Sequence, residues 1–196
     1  MHINQEMFVP LQPKRKNTLM MKKTFIAVMF LALAVVVKAQ TMEYSKYEVP
    51  EYSISDAQSC KQYNHNILEC VHWLENVSPN IFKDEQVKAK KFLIEWATLS
   101  SDVSVVMDEK IVTFIKSSPD MLVYYVGGWV KKSLTTKNKL FKSDYAYAGL
   151  QSVMNYYKRY NKLVNQDLNI EKLIQMDSNG ALLIQLQKDM IKYDFN

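Results

Sequence analysis

Between Ser55 and Val77 the apolar positions recur at helical spacing. At about 100° per residue, Cys60, Tyr63, Ile67, Cys70, Val71, Leu74 and Val77 fall in one sector of about 120°. Ser55-Asp56 offers an N-cap and Ser78-Pro79 a stop, so the pattern predicts one amphipathic helix over residues 55–77. A second helix is expected from Asp84, as its cap, to about Ser100. It carries Val87, Ala89, Phe92, Leu93, Ile94, Trp96, Ala97 and Leu99 on more than half of its circumference, a width that calls for neighbours on two sides. Val103-Ser-Val-Val106 reads as a short extended connector, after which Asp108 caps a brief helix through Ile111, Val112, Phe114 and Ile115. Ser118-Pro119-Asp120 then supplies an N-cap, a first-turn proline and an acid suited to the positive end of a helix.

The run that follows, Met121 through Gly127-Gly128 to Val130, is the most apolar stretch outside the N-terminal leader and predicts a helix buried on all sides. A hairpin turning at Gly127-Gly128 competes with it. Trp129-Val-Lys-Lys-Ser133 does not alternate as a return strand should, which favours the helix. Ser143-Asp144 opens a long helix to about Val164, and Asn169 to Met176 forms a shorter one. Asp177-Ser-Asn-Gly180 is a turn, and Ala181 to Tyr193 is a last helix with Leu182, Leu183, Leu186 and Met190 inward. Residues 40–55, with Tyr44, Tyr47, Pro50 and Tyr52, show no periodicity and read as an extended arm. Beyond residue 39 the chain has only four glycines and three prolines and no internal repeat. The fold class expected is all-α: a single bundle of five to seven helices over residues 56–196, with an extended N-terminal arm.

Met21-Lys22-Lys23-Thr24 precedes thirteen uninterrupted apolar residues, Phe25 to Val37, and Val37-Lys38-Ala39 presents small or modest side chains beyond them. This is the charged, apolar and cleavage order of an export signal over residues 21–39. A membrane span needs ~20 apolar residues to cross ~30 Å, whereas thirteen reach about 20 Å. No cysteine lies near the cleavage point to carry a lipid. Residues 1–20 are an over-extended start or a long n-region and carry no fold information. The leader changes the charge picture. Residues 1–39 hold six of the 25 basic side chains and one of the 20 acidic ones, leaving 19 of each. The pI near 9.0 belongs to the leader, and with it any hint of nucleic acid or anionic membrane.

Taken in order, Phe92-Leu-Ile-Glu-Trp96, Ser101-Asp-Val-Ser-Val105, Gly127-Gly-Trp129 and Tyr145-Ala-Tyr-Ala-Gly-Leu150 resemble an uncharacterised family of small exported helical proteins from Bacteroidota. The resemblance spans most of residues 56–195. It implies a helical fold and a Gram-negative envelope location, and no reaction, ligand or site residue.

Cys60, His65, Cys70 and His72 look like a metal set, but on a helix with Cys60 at 0° they lie at about 140°, 280° and 120°. The cysteines share the apolar face and the histidines the polar one, so one ion cannot reach both pairs. Glu69-x-x-His72 has the spacing of di-iron bundle proteins, yet His65 is preceded by Gln62 and no second copy exists. An exposed stripe with Glu69 beside a histidine is the simpler reading. The two thiols, set among apolar residues, should be protonated and inert. On a continuous helix they stand about 15 Å apart, too far for a disulfide. No nucleophile elbow, zinc-protease motif or phosphate loop is present. Tyr156-Tyr-Lys-Arg-Tyr-Asn-Lys162 resembles an aromatic and basic nucleic-acid patch only when read linearly. On the helix wheel its tyrosines fall beside Leu150 and Val153, and Lys158, Arg159 and Lys162 face the other way. Gly127-Gly128 marks a close approach, by a neighbouring helix or by a ligand. Tyr44, Tyr47, Tyr52 and Tyr147 are the aromatics that packing does not obviously claim; they could serve recognition or pin the arm.

No catalytic, cofactor-binding or metal residue can therefore be named from the sequence, and no cofactor is implied. The functional expectation is an exported, non-catalytic binding or interaction module of the cell envelope, periplasmic or at the cell surface. Its partner would be another envelope protein or a small ligand, with no nucleic acid and no membrane span after cleavage. An exported hydrolase without a local motif and a carrier lodging an apolar ligand against residues 121–129 are the alternatives. A pocket of converging polar groups, a closed apolar cavity and an exposed aromatic patch would separate the three. If the leader is read correctly, intact mass of protein exported from a Gram-negative host corresponds to a chain starting near Gln40. A purified species retaining residues 22–38 contradicts it.

Overall fold

Eight consecutive residues, 123–130, are buried on every side, and the other helices pack around them. The computed structural model describes residues 45–194. The expected leader, the segment before it and the first part of the arm, residues 40–44 with Tyr44, lie outside the described residues. Within them the regular structure is entirely helical: α1 (Ala57–Lys61), α2 (Asn64–Asn76), α3 (Lys83–Leu99), a 3₁₀ turn (Pro119–Met121) leading into α4 (Leu122–Thr135), α5 (Lys142–Arg159), α6 (Leu168–Ser178) and α7 (Ala181–Asp194). The central α4 packs on α2, α3 and α5; the far side of α5 is covered by α6 and α7. The all-α class holds, and the hairpin at Gly127-Gly128 gives way to a helix because every side chain of the apolar run finds a neighbour.

Local chemistry explains where the elements begin and end. The helix expected over residues 55–77 is broken at Gln62-Tyr63 into α1 and α2. Asp56 does cap its start, accepting from the Ser59 amide at 2.8 Å. The break lets the Tyr63 ring turn onto Phe92, 6.0 Å between centroids, while its hydroxyl accepts from the Ser53 amide at 3.2 Å. The second helix starts one residue earlier than expected, and its cap position is Phe82 rather than Asp84. Phe82 takes a left-handed conformation, φ 52°, with its ring 6.4 Å from Trp73. Buried Gln86 holds the loop by donating to the Ser78 and Ile81 carbonyls at 2.9 and 2.7 Å. The apolar face of α3 is narrower than expected: Ala89, Phe92, Leu93 and Trp96 are buried, while Val87 is 67% exposed.

Residues 109–117 form hydrogen-bonded turns instead of the brief helix, although Asp108 still accepts from the Lys110 amide and Ile111, Val112 and Phe114 are buried. Helix α5 ends at Arg159, short of Val164, and α6 is capped by Asp167, which the sequence reading did not identify. Asp167 is buried, accepts from the Asn169 amide at 2.8 Å and the Ser117 hydroxyl at 2.6 Å, and so ties the turn segment to α6. In α7, Leu182, Leu186 and Met190 point inward.

The arm, residues 45–55, is pinned along α2 and α3. The Trp73 indole donates to the Ser45 carbonyl at 2.9 Å and the Tyr47 hydroxyl to the Asn66 carbonyl at 3.1 Å. Lys46 pairs with Glu85 at 2.9 Å, and Tyr52 stacks on Phe92 while donating to Glu95. Cys60 and Cys70 are both buried and free. Each thiol faces a backbone carbonyl of α3, Trp96 for Cys60 and Ala89 for Cys70, and the Trp96 indole returns a 2.9 Å bond to the Cys60 carbonyl. Burial pushes the Cys70 thiol up to about 12, so it behaves as a small hydrophobe.

The close approach of α4 and α5 depends on missing side chains. A Cβ on Gly128 would stand 2.5 Å from the Ala148 carbonyl oxygen and 2.7 Å from Ser152 Cβ. One on Gly149 would stand 2.7 Å from the Tyr125 carbonyl oxygen. At Gly127 the nearest atom is a Val71 methyl at 3.3 Å. Replacing Gly128 by Ala is therefore expected to cost on the order of 2 kcal/mol, because strain against backbone outweighs the gain in helix propensity of up to ~1 kcal/mol. Gly127→Ala should stay within about 1 kcal/mol of the parent. Urea unfolding of the two variants tests this, and equal stability of both would contradict the close approach.

Candidate functional site

Beside the contact of α4 with α5 at Gly128, the helices α2, α4 and α5 border an open groove of about 590 Å³. It borders Gly128, Ala148 and Ser152, and its walls mix polar tips with aliphatic stems and aromatic rings: His72, Glu75 and Asn76 from α2, Lys131, Lys132 and Thr135 from α4, and Tyr147, Gln151, Asn155, Tyr156 and Arg159 from α5. The small residues that let the helices touch are also what make the depression, since larger side chains there would fill it.

Glu75 sits at the centre, its side chain only 17% exposed. One carboxylate oxygen receives Lys131 Nζ at 2.7 Å and the other the Ser152 hydroxyl at 2.7 Å, so a single residue of α2 is tied to α4 and α5 at once. Arg159 closes one end, donating to the Glu75 carbonyl at 3.1 Å and to Asn76 Oδ1, and the Tyr160 hydroxyl donates to the Asn76 carbonyl. On the α5 wall, the Tyr147 hydroxyl and the Gln151 amide both donate to Asp177 Oδ1 at 2.7 Å, which fixes them from behind. Tyr156 is stacked on Tyr124 with centroids 3.8 Å apart. Its hydroxyl is buried against Tyr124, and burial raises its pKa to about 12.

This arrangement can bind but is poorly set up to react. A serine nucleophile needs a base free to take its proton. The carboxylate facing Ser152 is already neutralised by Lys131, and His72 bonds to Asn76 within its own helix. Nor does the Cys and His set of the sequence converge. Cys60 and Cys70 are buried, while His65 is exposed beside Glu69 at 3.4 Å, as the stripe reading required.

Tyr156 and Tyr157 are buried in α5 while Lys158 and Arg159 face outward, which removes the linear aromatic-basic patch. Of the unclaimed tyrosines, Tyr47 and Tyr52 hold the arm and Tyr147 lines the groove; Tyr44 lies outside the described residues. Glu75, Lys131, Ser152 and Gln151 were not singled out by sequence, and Arg159 was read only as solvated surface. They come from three helices and form no local motif. The one sequence signal was Gly127-Gly128: helix contact and groove are two consequences of the same glycine. No family model matches the chain, and no curated protein or solved structure is significantly similar to it.

Proposed function

We propose that the protein is a non-catalytic binding module of the cell envelope whose site is the groove between α2, α4 and α5, and whose ligand is a small polar solute. The observation that carries this is the groove itself: a depression of ligand size, about 590 Å³, lined by hydrogen-bonding and charged side chains around a central carboxylate that has both oxygens engaged. The aromatics available for a partner-protein surface are occupied, Tyr47 and Tyr52 by the arm's own packing and Tyr147 by Asp177. Against the apolar-carrier alternative, residues 123–130 are buried by neighbouring side chains, and the space bordering Gly128 is open and lined by charged groups rather than a closed apolar cavity. The envelope location rests on the leader pattern and on the resemblance to exported Bacteroidota proteins. No helix among the described residues is long and apolar enough to cross a membrane.

Ser152 beside Glu75 is the observation that favours a hydrolase instead, and one experiment separates the two readings. In a thermal-shift screen of polar metabolites, at least one solute class should raise the Tm of the parent and leave Asn155→Trp unmoved. Asn155 is exposed on the groove wall, so the indole blocks the space without disturbing the core. Chromogenic ester, phosphoester and glycoside substrates should show no turnover. Turnover lost in Ser152→Ala would establish the hydrolase, and a screen in which no solute distinguishes parent from Asn155→Trp would overturn the binding site.

A further inference from the structure

Resting on the reading of the groove as a binding site, we infer that its ligand is an elongated organic dianion, with a negative group at each end and hydrogen-bonding groups between. Some of the charges in the groove are already compensated and others are not. Three cations and one carboxylate line it. Glu75 and Lys131 cancel in a 2.7 Å pair at the centre. Arg159 donates to the Glu75 carbonyl and the Asn76 side-chain oxygen at the C-terminus of α2, whose partial negative charge offsets part of its own, and it faces no carboxylate. Lys132 makes no ion pair among the described residues. The nearby carboxylate of Asp177 lies behind Tyr147 and Gln151, bonded to both, and is not part of the lining. His72 is at the exposed rim, hydrogen-bonded to Asn76.

Arg159 and Lys132 stand at opposite ends. Helices α4 and α5 run antiparallel: Tyr124 stacks on Tyr156, Gly128 meets Gly149 and Ser152, and Trp129 stacks on Tyr145. Lys132, one turn past Gly128, therefore lies toward the start of α5, while Arg159 is its last residue. The two levels differ by about thirteen residues of helix rise, roughly 20 Å between backbones, and both side chains lean toward their helix N-termini and so toward each other, which leaves on the order of 10 Å between the charged groups. A compact anion can meet one cation but not both. Between them the lining offers the Asn155 and Gln151 amides and the Thr135 and Tyr147 hydroxyls. These suit a chain bearing hydroxyl groups.

Titration calorimetry on the mature chain with a series of one carbon skeleton and falling charge tests the inference: glucarate, gluconate and sorbitol, with suberate as a longer dianion and inorganic phosphate as a compact one. Glucarate or suberate should bind about tenfold more tightly than gluconate or phosphate, sorbitol should not bind detectably, and added salt should weaken the dianion most. Lys132→Gln and Arg159→Gln should each reduce the dianion to the affinity of the monoanion. Arg159→Lys, which keeps the charge, should retain most of the binding and separates a charge effect from a disturbed helix end. Equal affinity for glucarate, gluconate and sorbitol, or a dianion indifferent to both glutamine variants, would overturn the dianion and leave the binding module standing. No binding of any of these, together with a metabolite screen that fails to distinguish Asn155→Trp, would overturn both.

Discussion

The structure turns on one steric fact: α4 and α5 touch through backbone. Gly128 faces the Ala148 carbonyl and Ser152, and Gly149 faces the Tyr125 carbonyl, at separations no side chain could occupy. That contact places Tyr124 on Tyr156 and Trp129 beside Tyr145, aromatic pairs that fill the space on either side of it. It also leaves residues 123–130 of α4 nothing to expose, so that stretch needs α2 and α3 on its remaining faces, and α5 needs α6 and α7 on its own. The cost of two helical glycines, ~1 kcal/mol each in propensity, is offset by the packing they permit.

The same contact generates the groove. Small residues at a helix crossing allow close approach at one level, and beside it polar side chains of α2, α4 and α5 converge. Glu75 joins the three helices there through Lys131 and Ser152, partly buried and fully paired. Such a pair contributes more to fixing the spacing of the helices than to net stability, because desolvation cancels much of its attraction. An open depression with charged walls results.

Much of the fold was legible because it follows from periodicity. The apolar run 121–130 could only be covered on all sides as a helix, and the tyrosines and bases of residues 156–162 segregate by angle alone. What was not legible are places where a distant group outcompetes a local signal. Tyr63 leaves the helical path because Phe92 and the arm's Ser53 amide claim it. Phe82 takes the cap position from Asp84 because Gln86 and Trp73 hold the preceding loop. Asp167 serves as a cap because Ser117, fifty residues earlier, completes its hydrogen bonds. The groove was invisible for the same reason: Glu75 and Ser152 are 77 residues apart, and no local spacing announces their bond.

Native-state hydrogen exchange tests the central claim, that the glycine-mediated contact of α4 with α5 is the part of the fold on which the rest depends. The account expects the amides of residues 124–130 and 149–156 to be the slowest, exchanging only through global unfolding, with the arm and α7 opening at lower free energy. If the α4 and α5 amides exchange through a partial opening while those of α2 and α3 remain protected, the contact is peripheral and the account is wrong.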